Sequence, residues 1–129
     1  MTLVNGMNVS VSGLAASAFG SATEHQYFVM GPHWKHAVGA LKVGSLSGTG
    51  NLKCSFHHAA QNPSNETPDW KLLMSFSSLN ASSAMSTIFD APITSTPLLP
   101  YGRFTSTVES TNAGTTTFYN VVAKLLAEV

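Results

Sequence analysis

Thr115-Thr116-Thr117-Phe118-Tyr119-Asn120-Val121-Val122-Ala123-Lys124-Leu125-Leu126 is the stretch on which the fold class turns, because it reads in two ways. Phe118, Val121, Val122, Leu125, Leu126 and Val129 fall at helical spacing and would form a continuous apolar stripe. Residues 115 to 122, however, are dense in β-branched and aromatic side chains, which lose rotamer freedom in a helix and pack well on a pleated sheet. We read a strand from Thr115 to about Leu126, with the helix as its rival.

Working outward, Arg103 to Ser110 alternates with a period of two, threonine and Glu109 taking one face. On the other face, Phe104, Ser106 and Val108 cannot all be core. Met7 to Ser12 alternates in the same way and makes a first strand. His25 to Met30, with Tyr27, Phe28 and Val29, makes a second that stops at Gly31-Pro32. Ala37 to Leu46, the tight turn Ser47-Gly48-Thr49-Gly50, and Asn51 to Ala59 read as two antiparallel strands joined by a short loop. Ala60 to Asp69 has no periodicity and reads as an exposed loop. Trp70 to Phe76 and Ser86 to Phe89 are further short strands, whereas three prolines confine Ala91 to Pro100 to an irregular or edge connection.

The expectation is an all-β protein, a single antiparallel β-sandwich or jelly roll of seven to eight short strands. One domain spans 1-129. Residues 1-22, rich in small side chains, are expected to form an extended arm that reaches a neighbour.

Composition narrows the function classes. Only 9% of the 129 residues are charged, against roughly 25% in an ordinary soluble domain, while 43% are apolar. Ser and Thr fill the difference at about a quarter of all positions. A neutral hydroxyl surface is weakly solvated and suits a face that ends against other subunits, where each unpaired charge would add a desolvation cost. Assembly is therefore the first hypothesis. Six basic residues balance six acidic ones without a basic stripe, so no nucleic-acid partner is expected. No Lys or Arg precedes Lys35 to make the leader of a signal peptide, and Lys35, Lys42, Lys53 and Lys71 interrupt every candidate span, so no membrane partner is expected either. Cys54, the single cysteine, lies in an apolar run and reads as a small buried residue. Asn8, Asn65 and Asn80 match glycan acceptors at the frequency that a Ser/Thr-rich chain produces by chance.

Few residues invite chemistry. His33-Trp34-Lys35-His36 and His57-His58 carry the imidazoles that could hold Zn²⁺, but adjacent histidines on a strand point to opposite faces. There is no Gly-x-Ser-x-Gly elbow. Asp69, Asp90, Glu24, Glu66, Glu109 and Glu128 would have to be assembled across the fold to give an acid/base pair. We assign no catalytic, cofactor-binding or metal-binding residue, and expect a protein that is not an enzyme. Trp34, Trp70, Tyr27 and Tyr119 are the aromatics from which a sugar-stacking platform could be built, core packing being the plainer explanation.

Leu41-Lys42-Val43, Gly48-Thr49-Gly50-Asn51-Leu52-Lys53-Cys54-Ser55-Phe56, a loop ending in Trp70, Leu99-Pro100-Tyr101-Gly102-Arg103-Phe104 and Gly114-Thr115-Thr116-Thr117-Phe118 form a pattern that covers residues 41 to 126. It resembles the β-sandwich virion proteins of tailed bacteriophages, and in size and kind the head cement or decoration proteins, which look like small jelly rolls that trimerise on the capsid. The resemblance implies a homotrimer whose partner is the major capsid protein, made in the host cytoplasm and placed on the capsid surface of the virion. It also marks Arg103 as an arginine beside a hydrophobic strand, for which the plain reading is an edge residue pairing with a carboxylate. A neck, tail or fibre subunit, or a carbohydrate-binding β-sandwich module, are the alternatives.

Overall fold

In the computed structural model, residues 5–30, 37–62, 69–80, 87–89 and 98–127 are described. They are all-β: β1 (Asn5–Ala16), β2 (Ser21–Val29), β3 (Ala37–Ser47), β4 (Gly50–Ala59), β5 (Lys71–Ser75), β6 (Leu79–Asn80), β7 (Thr87–Phe89), β8 (Tyr101–Ser110) and β9 (Thr116–Ala127). Two antiparallel sheets form a sandwich, one in the order β1-β9-β3-β7 and the other in the order β2-β8-β4-β5, with the two-residue β6 also paired to β4.

The C-terminal stretch is a strand, and the cause of its helical spacing is visible. Thr116 and Phe118 face the core, as do Val121, Ala123 and Leu125, so the inward phase switches from even to odd positions between Phe118 and Val121. Asn120, at the switch, has a φ of 55°, a left-handed conformation that Asn tolerates better than most residues. Pairing on both sides keeps its register: Tyr119 stands opposite Gly13 and Ser45, and Val121 opposite Val11 and Val43. A strand with one phase switch thus imitates the three- and four-residue steps of an amphipathic helix. Gly44 leaves the room that this kink needs, since a Cβ there would lie 2.8 Å from the Asn120 Cβ.

Three sequence expectations are corrected. The first concerns the arm: Asn5–Ala16 is an edge strand paired along its length with β9, burying Val9, Leu14 and Ala16. Val9, Leu14 and Ala16 gain more by covering the core than a free segment could. The second concerns the strands flanking Ser47-Gly48-Thr49-Gly50, which do not form a hairpin. β3 pairs with β9 and β4 with β8, so the turn carries the chain from one sheet to the other. Gly48 makes this possible with a φ of 95°, in a place where a Cβ would fall 2.4 Å from the Thr115 carbonyl oxygen. Lastly, Phe104, Ser106 and Val108 are all in the core, each fully buried. Ser106 is tolerated there because its hydroxyl accepts a contact from the Cys54 thiol across the β4–β8 pair, at 3.8 Å.

The same end of the sandwich gathers two more sheet-switching connections, β1 to β2 and β8 to β9. Backbone hydrogen bonds tie all three together: Phe19 N–H to the Asn112 carbonyl at 3.0 Å, Ser110 N–H to Gly20 at 2.9 Å, and Thr111 N–H to Thr49 at 3.2 Å. Between the sheets, Phe56 packs against Phe104 with ring centroids 5.0 Å apart and meets Phe28 and Phe76 edge-on, facing Leu41, Val43, Phe118, Val121 and Leu125. Both sheets therefore expose an outer face, and these faces are where function has to be sought.

Candidate functional site on the outer sheet faces

On the five-stranded sheet the outward positions of β2, β8 and β4 are set by register. Tyr27 stands opposite Arg103 and Arg103 opposite His57; one step along, His25 stands opposite Thr105. Leu72 of β5 follows, opposite His57. Trp70, just before β5, completes the group by lying under the Arg103 guanidinium, 4.7 Å from its ring centroid. Its ring is 5.9 Å from that of Tyr27, which is in turn 6.1 Å from His25. Tyr27 is 56% exposed, Val29 65% and Leu72 60%, so large apolar surface surrounds a cationic centre.

Arg103 is not an edge residue, nor among the described residues is it paired with a carboxylate: β8 runs between β2 and β4, and the guanidinium rests on Trp70. Its Nε and the Nδ1 of His57 are buried without a hydrogen-bond partner. The three described histidines all titrate below their ordinary range. For His25 and His57 burial comes first and the neighbouring Arg103 second, His57 also feeling His25 and His58; for His58 burial comes first and Lys71 second. His25 Nδ1 is 2.9 Å from the Thr105 hydroxyl, and the Leu99 N–H donates to His58 Nδ1 at 3.1 Å. His57 and His58 thus have separate surroundings. Among the described residues no three His, Cys, Asp or Glu side chains come together as a metal site.

Of the aromatics named from sequence, Tyr27 and Trp70 are brought together, Tyr119 lies on the opposite sheet, and Trp34, like His33 and His36, falls outside the described residues. Sequence reasoning missed the parts that Arg103, His25 and His57 play here. The step of two from His25 to Tyr27 puts both on one face, and that much was legible; the alignment of β2 with β8 was not.

The outer face of the four-stranded sheet differs in kind. Val38 pairs with Leu126, Ala40 with Lys124 and Lys42 with Val122, in adjacent rows of β3 and β9. Tyr119, Val122 and Leu126 are exposed, and Ala40, Lys42, Val122, Lys124 and Leu126 line a shallow depression. Its charges are the two lysines. Among the described residues the salt bridge is Lys53–Glu109, at 3.3 Å on the other sheet.

No family model matches the chain, and no curated protein sequence matches it. Solved structures do. TmCBM61, determined in complex with beta-1,4-galactotriose, superposes with a TM-score of 0.51 at 11% identity, over 90% of this chain and 69% of that one. Infectious bursal disease virus, Gx strain, matches with a TM-score of 0.49 at 8% identity, over 98% of this chain and 38% of that one. The enzymatically active domain of bacteriophage CBA120 tailspike protein 4 matches at 0.49 and 13%, over 95% and 18%. The chain spans well under two thirds of these last two. At such identities the first likeness shows the β-sandwich fold and nothing about ligands.

Proposed function

We propose that the chain is a structural virion protein of a tailed bacteriophage, a capsid cement subunit that stabilises the head by bridging neighbouring major capsid proteins. The observation that carries this reading is the outer face of the four-stranded sheet. Tyr119, Val122 and Leu126 are left exposed there, on a chain with 9% charged residues. Water gains little from solvating such a face, and burying it against another subunit removes apolar area while enclosing, among the described residues of its depression, two lysines. The sequence resemblance supports the same reading, since its Tyr101–Phe104 segment opens β8 and its Gly114–Phe118 segment leads into β9, the central long strands of the two sheets.

A cement subunit acts mechanically. Each contact contributes modest area, and several contacts held by one oligomer must all open before capsid proteins separate. No bond is made or broken, so the protein needs no catalytic residues or cofactor. The test is the mass of the purified protein in solution, followed by co-sedimentation with capsid shells. A trimer that co-sediments is expected. A sixfold or twelvefold ring would point instead to a neck or tail subunit. A monomer that stays in the supernatant would overturn the virion reading.

A further inference from the structure

We propose that the outer face of the five-stranded sheet holds a second binding site, independent of assembly, which takes an acidic sugar residue of a glycan: the sugar ring against Tyr27 and Trp70, its carboxylate at the Arg103 guanidinium. Three observations lead there. Tyr27 and Trp70 lie 5.9 Å apart on the outside of the sandwich, where among the described residues no element covers them and core packing does not account for them. Aromatic rings exposed beside polar groups are what the apolar face of a sugar stacks on.

Next, among the described residues the charge at this spot is that of a single cation, Arg103, with two imidazoles beside it. Arg103, His25 and His57 converge from β8, β2 and β4. Glu109, the acid that shares this outer face on β8, is six residues from Arg103, about 20 Å along the strand, and is already held by Lys53 at 3.3 Å. Asp69, next to Trp70 in sequence, lines a different groove with Ala60, Gln61, Lys71 and Leu99. A neutral sugar would leave the guanidinium without an anion. A uronic or sialic acid supplies one in the planar geometry that guanidinium matches.

Finally, the cluster is incompletely satisfied. Among the described residues Arg103 makes no ion pair, and its Nε–H and the His57 Nδ1 lack hydrogen-bond partners. Native structures keep few such groups, and each calls for an explanation such as an ordered water, an ion or a functional role. The stacking of Arg103 on Trp70 holds the cation in place without neutralising it, as a preformed site requires.

The experiment is calorimetric titration of the full chain with trigalacturonate, with beta-1,4-galactotriose as the neutral counterpart and succinate as a carboxylate without a sugar ring. Trigalacturonate is expected to bind at least about tenfold tighter than either control, a difference of about 1.4 kcal/mol. Arg103→Gln and Trp70→Ala should each weaken it by about tenfold or more, and Arg103→Lys, which keeps the charge but not the fork, by an intermediate factor. Lys53→Ala removes a cation from the same face outside the cluster and should change nothing. Thermal melts separate loss of binding from loss of fold. Equal binding of galactotriose or succinate would overturn the acidic-sugar assignment, as would no binding of trigalacturonate or a comparable loss in Lys53→Ala. None of these results bears on capsid co-sedimentation, so this site and the cement reading stand or fall separately.

Discussion

The Arg103 guanidinium carbon sits 4.7 Å from the centroid of the Trp70 ring, on a strand in the middle of its sheet and with no carboxylate in ion-pair reach among the described residues. An arginine in that position gains from the ring quadrupole and from burying its aliphatic stem, instead of from an exposed ion pair. A double-mutant cycle of Arg103→Met and Trp70→Leu is expected to give a coupling of about 0.5–1 kcal/mol towards stability. Strictly additive effects would show that the stacking contributes nothing.

Acid should destabilise the fold. The pKa values of His25, His57 and His58 lie below the ordinary 6.5, so the folded state prefers neutral rings. Above 6.5 neither state is protonated and stability is full; as pH falls below it the unfolded chain takes up protons first, and stability declines towards the folded values. The charges that face His57 are Arg103 from β8, His25 from β2 and His58 beside it, with Lys71 acting on His58. Melting temperature should therefore fall as the pH drops through the ordinary histidine value and below it, and less so in His57→Gln. A His57→Gln variant with the full acid sensitivity of the native chain would remove His57 from the explanation.

If acidic glycans bind as proposed, the same histidines give binding the opposite trend. A carboxylate at Arg103 favours protonated His25 and His57, so affinity for trigalacturonate should rise as pH falls towards about 5.5 while the fold persists. Affinity that does not change with pH would place the imidazoles outside the site.

Cys54 should be inert until the domain opens. Its thiol is 3% exposed, and burial pushes its pKa up to about 12, against the smaller opposing effect of the Ser106 hydroxyl. Alkylation by iodoacetamide needs thiolate and access, and should run at least about a thousandfold slower in buffer than in denaturant. Fast labelling of the native chain would mean that β4 and β8 separate readily.

The Asn120 kink yields opposite expectations for two residues. Gly44→Ala should destabilise by about 1–3 kcal/mol, because the new Cβ meets that of Asn120. At Asn120 itself, replacement by Val should cost about 1–2 kcal/mol for the left-handed backbone, whereas Gly should be nearly neutral. Chemical denaturation of the three variants checks the order. A neutral Gly44→Ala would mean that β3 and β9 can part at that row without penalty.

Assembly can be probed on the other face. Val122→Asp or Leu126→Asp leaves the core untouched, since both side chains point outward. Each should leave the melting temperature within a few degrees while weakening co-sedimentation with shells by about tenfold or more. Unchanged co-sedimentation would move the contact elsewhere.

Local pattern was enough for the all-β class, for most strand positions and for the buried Cys54, because alternation and β-branched content act within a few residues. It also placed His25 and Tyr27 on one face and left Asn51–Ala59 extended. Other features depended on partners distant in sequence. Whether Ser47–Gly50 closed a hairpin or crossed between sheets was decided by β8 and β9, more than fifty residues on, which offered β4 and β3 better edges than each other. Ser106 could be core only because Cys54 lay opposite it, and the first strand, legible at Met7 to Ser12, lies on the sandwich and not in an arm because β9 offered it an edge. Helix and strand compete at residues 118–126 on nearly equal local terms, and pairing on both sides of β9 tipped the balance. The cluster of Tyr27, Trp70, Arg103 and His57 is the strongest case: its members come from four separate segments, three aligned by register and Trp70 delivered by the segment that leads into β5.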